Sequence, residues 1–443
     1  MTKSKKQESE VVGKNGVTLR KTNYDSKVSG YRTYEVYQRE RVGESTEKIK
    51  PSDLISEEYR ADPYPALTIL RENYPCYRDW LSNCYWITRY NDVTSIFSDD
   101  ANFETRGKNY FLKAEGLGKD LTEELPVMFA QERIYDEDTR IIATEIVEAL
   151  LQKTDVDLAT EFAAVLPLRI LSKQYGISQE EVSEFGHRFW RMQRGTSWDP
   201  RMQIDGVEAT QELLGFFKEK IRKKDHEKEE NSFSEMVRLG GTEEDVVATL
   251  LNTDHQTMHG TLSNLWFLLL TNQAEFEKAK SSTRMLKLAY LETLRHSPPV
   301  IAAERFALTE VERFGRLIPE GAKLVCSAAA ANRDPRIFSD PDAFVVDRRD
   351  MCQREPRGQY RADGLASGIA FALGKPSIHP AVPEDRPRSR YAIVRDAAVT
   401  ASQTLIDLTK EIKLQKGKDV SLSSLSIGEM HTCWKLRVRL KAR

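Results

Sequence analysis

The sequence has 443 residues, of which 30% are charged and 40% hydrophobic, and its formal net charge is −2. This hydrophobic content is sufficient for a large core, and the charge balance gives no electrostatic reason to expect nucleic acid as a partner. No run of about 18 apolar residues occurs, so no transmembrane segment is expected. The N-terminal MTKSKKQESE is unlike a signal peptide, and the five scattered cysteines lack a Cys-x-x-Cys pair, which predicts reduced thiols and a cytoplasmic location.

The chain divides near residue 52. Residues 1–52 are polar and lack a sustained hydrophobic period, which predicts an N-terminal extension that is partly disordered. Residues 53–443 show no internal repeat and no second boundary, so one domain is expected there.

Hydrophobic periodicity predicts a mainly α-helical fold with a smaller β part. A helix begins at Asp62-Pro63, and a short strand followed by an amphipathic helix is predicted in CYWITRYNDVTSIFSDD. Longer helices are predicted for Asp136–Leu151, Leu158–Gln174, Gln179–Met192, Val207–Glu227, Glu243–Leu270 and Tyr391–Ile412. Strands are predicted for Glu304–Ala307, Lys323–Ser327 and the alternating tail Thr432–Leu440.

Four short motifs follow one another in the C-terminal half: ETLR at Glu292–Arg295, NRDP from Asn332, DPDAF, and AFALGKPSIHP at Ala370–Pro380. In that order and at those distances they resemble the C-terminal half of a cytochrome P450. The strand that ends in Thr-Arg-Tyr is similar to the N-terminal lobe of that family. The resemblance covers roughly residues 55–443 and implies the P450 fold as a single domain.

The resemblance assigns structural roles to several of these residues. Glu292 and Arg295 are at i, i+3 and share one helix face, and the family frame makes them a buried ion pair that anchors the NRDP segment with Asn332 and Arg333. Phe371 and Gly374 match the retained part of the family's haem-binding loop.

The ligand position of that loop differs from the family. In cytochromes P450 a cysteine thiolate holds the haem iron, and the matching residue here is Ile378, which has no lone pair to give a metal. Pro376 and Pro380 replace a basic residue and a glycine on either side. The resemblance therefore implies a kept fold and a lost ligand.

The positions that would bind the haem propionates also differ. Arg305 matches one of the family's propionate partners. The family's other basic partners lie in a helix whose matching stretch, DEDTRIIATEIV, places Asp138 and Ile142 there. On this alignment most of the cationic anchors are missing.

The stretch TDHQTMHGTLSNLW aligns with the family's oxygen-handling motif and supplies the candidate catalytic residues. Thr257 matches the first threonine, but Gln256 stands at the carboxylate and Asp254 at a glycine. Glutamine cannot relay a proton by titrating. His255 and His259 are at i, i+4, a spacing that can bind a metal from one helix face, although core histidines are the favoured interpretation.

The sequence therefore predicts a P450 homologue that has lost haem-thiolate chemistry and has no cofactor. It would act as a haem-free partner of another enzyme, or bind a hydrophobic small molecule in the central cavity, within a biosynthetic or catabolic pathway. The alternative is an enzyme. It would either hold haem through His379, since imidazole is a legitimate haem ligand, or run non-oxidative chemistry at Asp254, His255 or His259.

Overall fold

The structure is a computed structural model that describes residues 10–12, 18–20, 48–105, 131–195, 200–224, 229–251, 253, 255–350, 390–415, 420–425 and 430–443. Most of the extension predicted for residues 1–52 lies outside these ranges. So does the loop at Ala370–Pro380.

Helices make up most of the described chain. They are α1 Glu57–Ala61, α2 Tyr64–Asn73, α3 Tyr90–Phe97, α4 Gln131–Leu151, α5 Val165–Gln174, α6 Val182–Arg194, α7 Pro200–Arg222, α8 Ser232–Arg238, α9 Glu243–Leu251, α10 His255–Thr271, α11 Gln273–Ala279, α12 Thr283–His296, α13 Ala328–Ala331 and α14 Arg390–Leu408. The prediction of a mainly helical protein with a smaller β part is confirmed.

The strands form one larger sheet, one small sheet and several hairpins. They are β1 Glu10–Val12, β2 Thr18–Arg20, β3 Tyr77–Asp79, β4 Cys84–Ile87, β5 Phe103–Glu104, β6 Val156–Asp157, β7 Ala303–Ala307, β8 Val311–Arg313, β9 Arg316–Ile318, β10 Lys323–Cys326, β11 Thr409–Leu414, β12 Leu422–Ser424, β13 His431–Cys433 and β14 Arg437–Ala442. The five-stranded sheet has the order β3-β4-β10-β7-β5, in which β4 and β10 are parallel, and the antiparallel three-stranded sheet has the order β11-β14-β6.

Two large hydrophobic clusters hold the helices and the larger sheet together. One lies among α4, α5, α10, α12 and α14, with Trp266 and Tyr290 fully buried in it and Val438 of β14 closing it. The other lies between α3 and the five-stranded sheet, around Val93 and Leu324. The central helix α10 therefore runs through the interior, where few of its residues meet solvent.

The C-terminal elements differ from the sequence prediction. The helix predicted for Tyr391–Ile412 ends at Leu408, and Thr409–Leu414 forms β11, because charged and apolar residues alternate over Glu411–Leu414. The predicted tail strand is two strands, β13 and β14. Near the middle, the helix predicted for Leu158–Gln174 is a π-helical turn at Ala159–Ala163 followed by α5.

Candidate functional site

The central helix is interrupted at the motif that carries the candidate catalytic residues. α9 ends at Leu251 and α10 begins at His255. Between them, the hydroxyl of Thr253 donates to the Leu250 carbonyl at 3.0 Å and lies 2.9 Å from Nδ1 of His255. The single helix predicted for Glu243–Leu270 is therefore wrong, because side chains here compete with the helix for backbone hydrogen bonds.

A buried glutamine of α6 supports this break. The amide nitrogen of Gln193 donates to the carbonyls of Leu250 and Leu251 at 3.0 and 3.3 Å. The last carbonyls of a helix have no intrahelical partner, so Gln193 satisfies the end of α9 where water would otherwise be required. Sequence reasoning missed this residue, although a glutamine on the inner face of an amphipathic helix was a usable signal.

The candidate catalytic residues lie in the first turn after the break. Thr257 is buried and Gln256 is half-buried, while Asp254 lies outside the described residues. A glutamine amide does not titrate at physiological pH, so Gln256 cannot act as a general acid or base. The described part of this segment offers hydroxyl, amide and imidazole groups and no carboxylate.

His255 and His259 do share one face of α10, but aromatic rings cover that face. The ring centre of Trp190 lies 4.9 Å from that of His255 and 5.5 Å from that of His259. Phe189 is 4.1 Å from His255, and Trp434 is 6.0 Å from His259. An indole therefore occupies the space beside both imidazoles where a shared metal ion would bind. Among the described residues, no group of three metal-binding side chains occurs.

The environment of His259 keeps its ring neutral. Burial lowers the pKa of His259 to about 4, against the weaker opposing effect of a hydrogen bond with the Ala159 backbone. Its Nδ1 has no hydrogen-bond partner. A fully enclosed neutral imidazole among tryptophans fits a packing role better than contact with a substrate.

The Glu292–Arg295 pair is fully buried in α12. Arg295 donates through Nε and one terminal nitrogen to the two carboxylate oxygens of Glu292, at 2.7 and 2.8 Å. The backbone nitrogen of Val345 also donates to Glu292, at 3.0 Å. The ion pair expected from the sequence is therefore present and joined to the segment that follows α13.

Asn332 and Arg333 connect the same segment to the end of α12. The amide of Asn332 donates to the Leu294 carbonyl at 3.2 Å, and Arg333 donates to the His296 carbonyl at 2.7 Å. The guanidinium of Arg333 also lies 3.4 Å from the centre of the Tyr64 ring. These contacts fix the NRDP segment against α2 and α12.

Arg305, which aligns with one of the family's haem-propionate-binding residues, lies within the described part of the chain. It is buried on β7, and its guanidinium carbon lies 4.6 Å from the centre of the Phe97 ring. Burial lowers the pKa of Arg305, but arginine retains its charge in proteins. The side chain can therefore pair with one acidic group of a ligand.

The two α4 residues aligned with propionate positions have contacts within the helical part of the protein. Asp138 forms an ion pair with Lys173 of α5. Ile142 is buried in the helical cluster. Their assignment to the propionate positions stays a prediction.

The described cysteines do not fit a haem-thiolate centre, which requires an ionised sulfur. All four are buried: Cys76, Cys84, Cys326 and Cys433. Burial raises the pKa of Cys326 to about 12 and that of Cys433 to about 11, so both are thiols at neutral pH.

The loop that would carry the iron ligand lies outside the described residues. It contains Phe371, Gly374, Ile378 and His379.

Comparison with known proteins relates the chain to one family. Residues 277–355, which contain α12 and the NRDP segment, match the family model described as Cytochrome P450. The solved structure of the bacillaene polyketide synthase cytochrome P450 PksS from Bacillus subtilis 168 matches with a TM-score of 0.68, covering 89% of this chain and 100% of that one at 20% identity. The chain has the fold of the cytochrome P450 superfamily, and its sequence is similar to members of that superfamily. The predicted P450 fold as a single domain is confirmed.

The chain is also similar in sequence to bacterial enzymes. It is 24% identical to cyclomarin C epoxidase CymV of Salinispora arenicola (strain CNS-205), over 69% of this chain and 82% of the relative. It is also 24% identical to 6-deoxyerythronolide B hydroxylase of Saccharopolyspora erythraea, over 73% of this chain and 87% of the relative. In the part of the P450-like chain that is described, no helix is long and apolar enough to span a membrane.

Proposed function

We propose that this chain is a P450-superfamily protein that works without a haem-thiolate centre. It supports or activates a partner enzyme in a biosynthetic or catabolic pathway of the cytoplasm, and it can hold a hydrophobic small molecule in the P450 cavity. Residues 53–443 form the P450-like unit, and residues 1–52 are an extension outside it.

One feature of the sequence carries the proposal: on the motif alignment, Ile378 stands where the family has its iron-binding cysteine. An aliphatic side chain has no donor atom, so the defining bond of the family cannot form at that position. Cys326 and Cys433 do not supply a thiolate, because burial raises their pKa above neutral pH, and Cys76 and Cys84 are buried as well.

The central helix supports the same conclusion. Oxygen activation in a P450 requires protons, and Gln256 stands where the family has a carboxylate. The structural pair Glu292–Arg295 is nevertheless complete. A fold that keeps its buried ion pair but has an apolar residue at the iron-ligand position suits a protein that acts by binding a partner at its surface or a small molecule in its cavity.

The second candidate function is an enzyme that holds haem through His379. This histidine is adjacent to the ligand position, and the related epoxidase and hydroxylase favour an oxidoreductase. Non-oxidative chemistry at Asp254, His255 or His259 has less support, since rings enclose His259 on α10.

The test is the absorption spectrum of the full chain, expressed with ample haem precursor and purified without added haem. We expect no Soret band and iron far below one atom per chain. A stoichiometric Soret band would overturn the proposal, and its loss in His379→Ala would identify the replacement ligand. Ile378→Ala serves as the control, because it alters the same loop without removing a nitrogen donor.

A further inference from the structure

The local sequence does not explain the break between α9 and α10. The three residues between the helices are Asn252, Thr253 and Asp254. None of them is glycine or proline, the residues that most often interrupt a helix. Asparagine, threonine and aspartate have a lower helix propensity than alanine, but a helix tolerates them in its interior. The break therefore depends on contacts that the rest of the fold supplies.

The carbonyl of Leu250 is the acceptor at which most of these contacts meet. It accepts from the backbone nitrogen of Thr253 at 3.2 Å, from the Thr253 hydroxyl at 3.0 Å and from the Gln193 amide at 3.0 Å. A carbonyl oxygen has two lone pairs, so these donors leave no capacity for the N–H group four positions along, which would bind there in an unbroken helix. Gln193 also donates to the Leu251 carbonyl at 3.3 Å.

Gln193 reaches these carbonyls because α6 is fixed to α7. Arg191, two residues before it, forms ion pairs with Asp205 and Glu212 of α7, at 2.8 Å in each case. Aromatic rings of the two helices pack together on the inner side. The two helices therefore form one body, and a shift of that body carries the buried amide of Gln193 with it.

We infer that Gln193 is a conformational switch that holds the central helix apart. In the observed state its amide occupies the last two carbonyls of α9. A helix leaves its first N–H groups without an intrahelical partner, so withdrawal of the amide lets the start of α10 bind these carbonyls and join α9. The first turn of α10, which carries Gln256 and Thr257, then changes its geometry. The switch operates whether or not the protein holds haem, and so it goes beyond the proposed function.

The alternative is a static cap, which satisfies the carbonyls and has no second state. The two interpretations predict opposite effects of Gln193→Leu, which fills a similar buried volume and removes the donor. Loss of a cap leaves two carbonyls unsatisfied, so the amides around the break become less protected from exchange. Loss of a switch lets the helix close, so the same amides become more protected.

The experiment is hydrogen–deuterium exchange of the full chain, followed by mass spectrometry of peptides that cover residues 249–258. In Gln193→Leu, the amides of residues 254–257 should exchange about tenfold more slowly than in the wild type, because one or two net hydrogen bonds of the usual strength are worth about that factor. Thr253→Ala removes the other side-chain donor from Leu250, so it should slow exchange by itself and further in the double variant.

Gln211→Leu is the matched control, because it makes the same change at an exposed site of α7 and should leave the exchange of these peptides unaltered. Faster exchange in Gln193→Leu, with a lower melting temperature, would overturn the switch in favour of a static cap. Unchanged exchange in the double variant would also overturn it, because contacts other than these two donors would then hold the helix apart. If Gln193→Leu does not fold, Thr253→Ala decides by the same signs.

Discussion

Replacing Arg295 with alanine is expected to leave the protein barely folded or unfolded, because one guanidinium satisfies groups from several segments. All five of its N–H donors are used. Two go to the carboxylate of Glu292, and three go to the carbonyls of Asn332, Pro341 and Ala343 at distances between 2.7 and 3.0 Å.

The magnitude follows from what the substitution leaves behind. Removing one partner of a buried ion pair costs roughly 3–5 kcal/mol. The three carbonyls that lose their donor add to this free-energy cost. Arg348, whose guanidinium lies 3.8 Å from the Glu292 carboxylate, compensates part of the negative charge that is left. A loss of about 3–5 kcal/mol is a large share of the roughly 5–15 kcal/mol that stabilises a typical domain.

The assay is urea unfolding followed by far-ultraviolet circular dichroism. Glu292→Gln should cost less than Arg295→Ala, since it removes the charge but keeps an acceptor. Arg295→Lys should fall between them, because it retains the positive charge and loses the planar fork. An Arg295→Ala protein within about 1 kcal/mol of wild type would refute the reasoning, since effects of that size are ordinary for surface sites.

Two further predictions concern pH and packing. His259 and His431 are both buried with a pKa lowered to about 4, so their contribution to stability is present above pH 6.5 and is lost as the pH falls to about 4, by roughly 3 kcal/mol each. His259→Phe should reduce the slope of unfolding free energy against pH in that interval, and an unchanged slope would contradict the assignment. Gly260→Ala should destabilise by about 1–3 kcal/mol, because the added carbon would come within 2.4 Å of Cβ of Pro299 on a rigid ring. Gly215→Ala, where the added carbon meets nothing within 4 Å, is the control, and equal melting temperatures of the two variants would contradict the prediction.

Sequence patterns predicted the elements whose hydrophobic period is local. The strand predicted for Glu304–Ala307 and the one for Lys323–Ser327 each agree with the structure to within one residue. The helix α8 was not predicted, because its seven residues are too few for a clear period, although Asn231 caps it by accepting from Ser234 N. The break before His255 was missed because it depends on Gln193, a residue distant in sequence.

The candidate site was only partly accessible from sequence. Residue identity is enough to conclude that Ile378 cannot bind iron and that Glu292 can pair with Arg295. Residue identity does not place a side chain in space: the ion pair of Asp138 with Lys173 joins residues 35 positions apart and was not predicted. Asn264, whose amide joins α10 to the carbonyls of Ser297 and His431, was visible only as a polar interruption of an apolar run.

The middle position of β14 in its sheet has a consequence for how the protein is made. Its neighbour β6 leaves the ribosome long before it, and the backbone nitrogen of Leu436 donates to Asp157, 279 positions earlier in the chain. Val438 also completes the helical core, so neither the sheet nor that core can close before this strand has been synthesised and has left the exit tunnel. Until then the nascent protein exposes apolar surface that chaperones can bind.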